Sequence, residues 1–211
     1  MSLTYKDLIS ENHKENALTL ITNGSESISY YISNNLEENI IDRYYSSSQG
    51  WEQITNAIQI NNVGHSLEEY YFIRSIFNNL DQILDIDFIE FPNNQGSKLD
   101  IYSVDFSSSF TTNVVGQAIY QESQYGSWYD ILWKESDNKN TLNYSDKNTI
   151  VHEIGHSLGL SHPNGDPYNP SWNTDDTVMS YNEGIQGEGD WFSQTDLNAL
   201  INIWGRENDN G

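Results

Sequence analysis

The chain has 211 residues, a length that supports one large domain with its own hydrophobic core. Its 31 acidic and 9 basic residues give a formal net charge of −22, which argues against nucleic acid or an anionic membrane surface as a partner, since both are bound by clustered Lys and Arg. The absence of cysteine excludes disulfides, thiolate metal sites and a cysteine nucleophile. The acidity indicates high solubility, and a preference for cationic substrates or Ca²⁺ is the weaker alternative.

The N-terminal third of the chain has few regular patterns. Residues 1–27 are polar and loosely patterned, so they predict an irregular N-terminal arm, and they lack the apolar run of a secretory signal. The β-branched and aromatic run ISYYIS at 28–33 predicts a strand. Residues 35–61 predict part helix and part loop, interrupted by a Ser-Ser-Ser-Gln-Gly run.

A helix followed by four strands is predicted in the middle of the chain. Ser66 and Glu69 form a capping-box pattern before a helix over 67–84, and the apolar positions recur at helical spacing at Leu67, Tyr70, Tyr71, Ile73, Phe77, Leu80 and Leu84. The strand signals, separated by turn-forming residues, are DFIEF (87–91), LDIYSV (99–104), VVGQAIYQ (114–121) and SWYDILWKE (127–135).

Two further helices are predicted towards the C-terminus. One begins near residues 146–148 and ends near Leu158, and a loop rich in Asn, Pro, Gly and Asp follows it over 162–177. The other covers 193–204, with Ser193 as its cap. This order of elements predicts an α+β (α/β-like) fold with helices packed on a sheet.

The stretch HEIGHSLGLSH at 152–162 contains three of the five histidines of the chain. His152 and His156 are four residues apart, so on a helix both imidazoles extend from one face and can bind one metal ion. Glu153 is turned by about 100° from His152, which suits a general base acting on a water better than a ligand.

A catalytic zinc ion needs a third protein ligand and one open position. Gly159 can end the helix in the left-handed conformation and turn the chain, so that His162 returns to the metal. The five-residue pattern HExxH alone is weak, because a helix with two surface histidines also produces it. The eleven-residue form HExxHxxGxxH is far more demanding.

Residues after the motif carry a family resemblance. Pro163 follows the third histidine, and the string Val178-Met179-Ser180-Tyr181 lies downstream. With HEIGHSLGLSH, these residues resemble a metzincin zinc peptidase and are most similar to the catalytic domain of the serralysins. The resemblance implies a catalytic domain over 28–211, divided at about residues 161 and 162, with a twisted, mostly parallel sheet, an antiparallel edge strand, an active-site helix and a C-terminal helix.

The resemblance also implies the activity and the roles of individual residues. It implies a secreted, monomeric zinc endopeptidase that cleaves extended polypeptides and can bind a protein inhibitor. Met179 would pack beneath the zinc ligands in a Met-turn, and Tyr181 would be a displaceable zinc ligand that stabilises the oxyanion. The substrate would lie along a strand that includes Val114, Val115, Gly116, Gln117 and Ala118. Ca²⁺ has no support here, since the sequence contains none of the glycine- and aspartate-rich repeats of serralysins.

Other interpretations of these residues remain open at this point. Met179 could be ordinary core filler and Tyr181 a packing residue. The protein could be a non-catalytic module stabilised by zinc, or a zinc hydrolase of a non-peptide amide. Three groups are expected to be structural rather than functional: the histidines His13 and His65, the turn-forming acids Asp166, Asp175 and Asp176, and the tryptophans, of which Trp128, Trp133 and Trp172 could line a cleft.

Overall fold

The computed structural model describes residues 2–21, 25–37, 40–47, 50–123, 126–135, 141–185, 187 and 189–208, with only the backbone for 40 and 42–57. The helices are α1 (Glu11–Leu18), α2 (Leu67–Asp81), α3 (Tyr144–Ser157) and α4 (Gln194–Trp204). The strands are β1 (Ser27–Ile32), β2 (Ile40–Ser47), β3 (Gly50–Asn62), β4 (Asp87–Glu90), β5 (Leu99–Ser107), β6 (Gly116–Ser123) and β7 (Gly126–Lys134). Short 3₁₀ turns occur at Tyr5–Leu8 and Pro163–Gly165.

The sheet has a parallel centre with antiparallel additions at both sides. Strands β4, β1, β5 and β7 are neighbours in this order, and each of these pairs is parallel. Strand β6 pairs antiparallel with β7. Strand β3 pairs antiparallel with β5 and with β2. The predicted mixed α/β fold with an antiparallel edge strand is therefore confirmed.

The two faces of the sheet bury different amounts of apolar surface. On β5, Leu99 and Ile101 face the large core, whereas Tyr102 and Val104 face a small cluster on the other side, as the two-residue period of a strand requires. The large core also takes buried residues from all four helices, and the small cluster takes none. The helices therefore cover one face of the sheet.

Most of the predicted elements are present. All five predicted strands outside 35–61 form, as β1 and β4–β7. Ser66 and Glu69 cap α2 with the reciprocal bonds of a capping box, as do Ser193 and Asp196 for α4. Helix α2 ends at Asp81, three residues before the predicted end.

Three predictions about local structure are wrong. Residues 40–62 form a two-stranded hairpin instead of helix and loop, and its predicted break at 46–50 lies partly outside the described residues. The N-terminal arm is not irregular, because capping by Ser10 starts helix α1 and Leu8 is fully buried. In α2, Leu67 and Tyr71 are exposed, and Ile76 belongs to the buried stripe.

No helix among the described residues has both the length and the apolar character to cross a membrane.

Candidate metal centre

Helix α3 carries the first two histidines of the motif. Asn143 caps its N-terminus by accepting a hydrogen bond from the Asp146 N–H at 3.0 Å, so the helix begins slightly before the predicted start. At the other end, Gly159 has a φ of +101°, and the Leu160 N–H donates to the Gly155 carbonyl at 2.9 Å. This bond and the one from the Gly159 N–H to the His156 carbonyl form a Schellman motif. The chain therefore turns at Gly159, as predicted.

The turn brings the third histidine to the other two. His162 Nε2 lies 3.2 Å from His156 Nε2 and 3.3 Å from His152 Nε2. Among the described residues, these three histidines form the group of side chains that could hold a metal ion, and their ligand atoms all lie within 4.8 Å of one another. The predicted ligand set is therefore assembled in the fold.

Backbone carbonyls determine which ring nitrogen of two histidines is free. His152 Nδ1 lies 2.9 Å from the Val178 carbonyl oxygen, and His156 Nδ1 lies 2.9 Å from the Leu160 carbonyl oxygen. A carbonyl only accepts, so both Nδ1 atoms carry the proton and both Nε2 atoms present a lone pair. His162 can donate to one of these Nε2 atoms but not to both. The remaining pair of facing lone pairs fits a cation between the rings.

The charge state of the histidines also suits a metal site. Burial lowers the pKa of His152 to about 4, and the neighbouring His162 contributes to the same shift. Burial also lowers the pKa of His162 to about 4 and that of His156 well below its ordinary value. Neutral imidazole is the form that binds a metal ion, so these residues need not lose a proton to do so near neutral pH.

Glu153 lies beside the histidines and faces the edge strand. Its side chain is 6 % exposed, and burial raises the pKa of its carboxyl to about 8, while a hydrogen bond from the Ala118 backbone N–H acts in the opposite direction. A divalent cation nearby favours the ionised carboxylate. Glu153 is thus a buried proton acceptor whose position depends on strand β6.

Met179 lies beneath the helix that carries the histidines. Its side chain is fully buried, and a Cβ added to Gly155 would stand 3.1 Å from its sulfur. The preceding residue, Val178, accepts the His152 hydrogen bond, and its own N–H donates to Asp196 Oδ2 at 3.0 Å. Asp196 also accepts from the Thr177 hydroxyl, whose oxygen accepts the Met179 N–H at 3.1 Å. The Met179 N–H and the Val178 carbonyl belong to one peptide unit, so the buried carboxylate at the start of α4 helps to hold the carbonyl that orients His152. In the sequence pattern, Asp196 is only the acid three residues after the cap Ser193.

Tyr181 packs against the ligand rings. Its ring centroid lies 5.0 Å from that of His162 and 5.4 Å from that of His152. Burial raises the pKa of the Tyr181 phenol, and the Glu153 carboxylate adds to this rise, so the hydroxyl keeps its proton near neutral pH. The side chain is 49 % exposed, which leaves the phenol accessible from the cleft.

Strand β6 runs along the same cleft. The Lys134 N–H donates to the Val115 carbonyl, so Gln117 and Ile119 bond to β7 while Gly116, Ala118 and Tyr120 direct their backbone groups to the outer side. Among the described residues no strand pairs with that side. Of the predicted substrate residues, Gly116, Gln117 and Ala118 lie in the strand, whereas Val114 and Val115 precede it.

Two depressions meet at Glu153, Tyr181 and Gly116. One continues towards His13, Tyr120 and Tyr129, and the other towards Asn148, Thr149, Tyr168 and Thr174. The cleft therefore extends to both sides of the histidine cluster, as a site for an extended ligand requires.

The remaining candidates have structural surroundings, with one exception. His65 Nδ1 donates to the Ser33 carbonyl, and its Nε2 accepts from Trp133. The carboxylates of Asp166 and Asp176 accept backbone N–H bonds within turns, which is the expected turn chemistry. That of Asp175 instead accepts from the Ile185 N–H, ten residues along the chain. Trp128 and Trp133 are buried and Trp172 is partly buried. His13 is the exception, because it reaches the cleft beside His156.

No model of a known protein family matches this chain, and no curated protein matches it. Its function must therefore be inferred from its own residues and their geometry.

Proposed function

We propose that this protein is a zinc-dependent endopeptidase, with His152, His156 and His162 as the zinc ligands. The observation that carries the proposal is the convergence of their Nε2 atoms at 3.2 and 3.3 Å. Nitrogen ligands about 2.0–2.1 Å from a tetrahedral zinc ion stand about 3.3 Å apart, which matches this spacing. The absence of cysteine and the open cleft above the histidines favour a catalytic site over a closed structural one.

A zinc ion bound there would supply Lewis-acid chemistry, polarising a carbonyl oxygen and making a water molecule acidic near neutral pH. Glu153 supplies the proton acceptor: its carboxylate takes a proton from the attacking water and delivers it to the leaving amine nitrogen. The Ala118 N–H holds that carboxylate against β6. The phenol of Tyr181 donates to the oxyanion that develops on the scissile carbonyl.

The outer side of β6 is the substrate-binding edge in this proposal. An extended peptide can add to the sheet as a further strand, using the backbone groups of Gly116 and Tyr120 that β7 does not engage. Main-chain pairing of this kind binds polypeptides with little dependence on side-chain identity, and the two depressions select among side chains. Peptides are therefore favoured over small non-peptide amides.

The sequence pattern supports the same proposal from another direction. The HExxHxxGxxH motif, Pro163 and the buried Met179 are the features that resemble a serralysin-type metzincin. The position of Met179 beneath Gly155 fits the Met-turn role that the resemblance implies. Secretion, a monomeric state and a protein inhibitor follow from the resemblance alone and are part of the proposal.

The proposal is tested by comparing the zinc-loaded wild type with Glu153→Gln on an unfolded, fluorescently labelled protein. Both proteins should bind one zinc ion, and only the wild type should cleave, because the amide cannot accept the proton. Equal cleavage by both proteins would show that Glu153 is not the base. If both bind zinc and neither cleaves proteins or peptides, the protein is a zinc-stabilised binding module or acts on a different amide.

A further inference from the structure

The segment between Gly159 and His162 is held by the N-terminal residues of the chain. Ile9 and Leu160 form an antiparallel bridge, and the Ser161 N–H donates to the Leu8 carbonyl at 2.8 Å. The N-terminal segment thus contacts the two residues that directly precede the third histidine. The position of His162 in the histidine cluster therefore depends on residues about 150 positions earlier in the chain.

One carbonyl in this segment accepts hydrogen bonds from two imidazoles. His13 Nδ1 lies 2.8 Å and His156 Nδ1 lies 2.9 Å from the carbonyl oxygen of Leu160. A carbonyl oxygen has two lone pairs, so both bonds can form at once. The two rings also meet edge to face, with centroids 5.4 Å apart and an interplanar angle of 75°.

The orientation of His156 depends on this carbonyl. The bond from His156 Nδ1 holds the ring so that Nε2 faces His162, and a carbonyl that rotated away would release it. The bond from His13 restrains the same oxygen, and the ring of His13 packs against His156 from the cleft side. His13 therefore acts on the metal site without belonging to the ligand set.

We infer that His13 is a positioning residue of the metal centre, which fixes the Leu160 carbonyl and through it the ligand His156. This deepens the proposed function, since it concerns the same zinc site, but it does not depend on peptidase activity. It also gives helix α1 a role, which is to carry His13 onto the Leu160 carbonyl from a distant part of the sequence.

The test compares zinc affinity in matched variants of the full chain. His13→Leu removes the donor, whereas His13→Asn keeps an N–H donor near the position of Nδ1, and His13→Gln moves the donor one bond further out. His65→Leu is the control, because His65 also donates Nδ1–H to a backbone carbonyl, at 2.8 Å from Ser33, but lies outside the cluster. Zn²⁺ affinity is measured by competition with a chromophoric chelator, and the visible spectrum of the Co²⁺-loaded protein reports on ligand geometry.

His13→Leu and His13→Gln should weaken Zn²⁺ binding by about tenfold, the lower end of the range for residues that orient metal ligands. Both should change the Co²⁺ spectrum, while His13→Asn and His65→Leu should stay close to the wild type. Thermal unfolding of the metal-free proteins separates loss of fold from loss of affinity. If His13→Leu fails to fold, the difference in zinc affinity between His13→Asn and His13→Gln tests the inference instead.

Two results would overturn the inference: wild-type zinc affinity in folded His13→Leu or His13→Gln, or equal losses in the Asn and Gln variants. A wild-type protein that binds zinc but cleaves nothing would contradict the peptidase proposal and leave this test intact.

Discussion

Substituting Gly116 by alanine should reduce turnover strongly while leaving zinc affinity unchanged. Gly116 begins β6, and a Cβ added there would stand 2.6 Å from Glu153 Oε1 and 2.6 Å from Thr149 Cγ2. An ordinary contact needs about 3.5 Å, so the carboxylate or the strand must move by about 0.9 Å. The Glu153 side chain can rotate away, whereas the Thr149 methyl is fixed on α3.

The displacement affects the reaction more than the fold. Misplacing a reacting group by about 1 Å costs about 100-fold in rate, so kcat of Gly116→Ala should fall by roughly 10- to 100-fold. Overpacking should lower the free energy of unfolding by about 1–3 kcal/mol, because the carboxylate can give way but the Thr149 methyl cannot. The three atoms nearest to the added methyl group belong to Glu153 and Thr149, and none of them belongs to a histidine.

Steady-state kinetics on a fluorogenic peptide measure kcat and KM. Zinc titration measures the zinc affinity, and denaturant unfolding measures the free energy of unfolding. Gly189→Ala is the matched control, because its Cβ would meet nothing closer than the Thr174 carbonyl oxygen at 3.5 Å, and it should behave like the wild type. A wild-type kcat in Gly116→Ala would refute the reasoning. So would a loss confined to KM, since that would place the effect on substrate binding instead of on Glu153.

Three further predictions concern Tyr181, Asp196 and His65. Tyr181→Phe removes a donor to the oxyanion, so kcat should fall by about 10²–10³-fold with zinc still bound, and an unchanged kcat would make Tyr181 a packing residue. Asp196→Ala leaves the Val178 N–H unpaired, so zinc affinity should drop about tenfold, whereas Ser193→Ala, which removes the cap of the same helix, should lower stability by about 1 kcal/mol and keep zinc affinity. Burial lowers the pKa of His65 from 6.5 to about 4. Between about pH 6.5 and pH 4, His65 is therefore protonated in the unfolded chain but neutral in the folded protein, which favours unfolding. His65 should therefore account for up to about 3 kcal/mol of the loss in the free energy of unfolding as the pH falls through this window, in addition to the loss from the buried histidines of the cluster. In denaturation curves, His65→Asn should show a fall that is shallower by that amount, and parallel pH profiles would contradict the assignment.

The histidine cluster was predictable from the sequence because all its determinants are local. The i, i+4 spacing on a helix, the glycine that ends it and the returning histidine lie within eleven residues, and each follows from backbone geometry. The predicted central strands were also correct, because their β-branched and aromatic runs end at clear turn signals. In these regions local preference and tertiary structure agree.

The elements that support the site were harder to predict because their partners are distant in sequence. No other potential metal ligand lies at ligand spacing from His13 in the sequence. Its hydrogen bond to the Leu160 carbonyl joins residues that are 147 positions apart. Helix α1 has eight residues and buries only Ala17 fully, too little for an amphipathic pattern. Asp196 has the sequence signature of the N3 acid in a capping box, and its bond to Val178 depends on how α4 packs. The prediction of part helix and part loop over 35–61 is wrong because the hairpin at 40–62 depends on cross-strand pairing, which local sequence patterns do not show.

X-ray absorption spectroscopy of the zinc-loaded protein tests the central claim most directly. The protein should bind one zinc ion per chain, with three imidazole nitrogens at about 2.0–2.1 Å and at least one oxygen. Replacing His162 by alanine should reduce the imidazole count to two. Fewer than three imidazoles in the wild type, or the same spectrum after the replacement, would contradict the account.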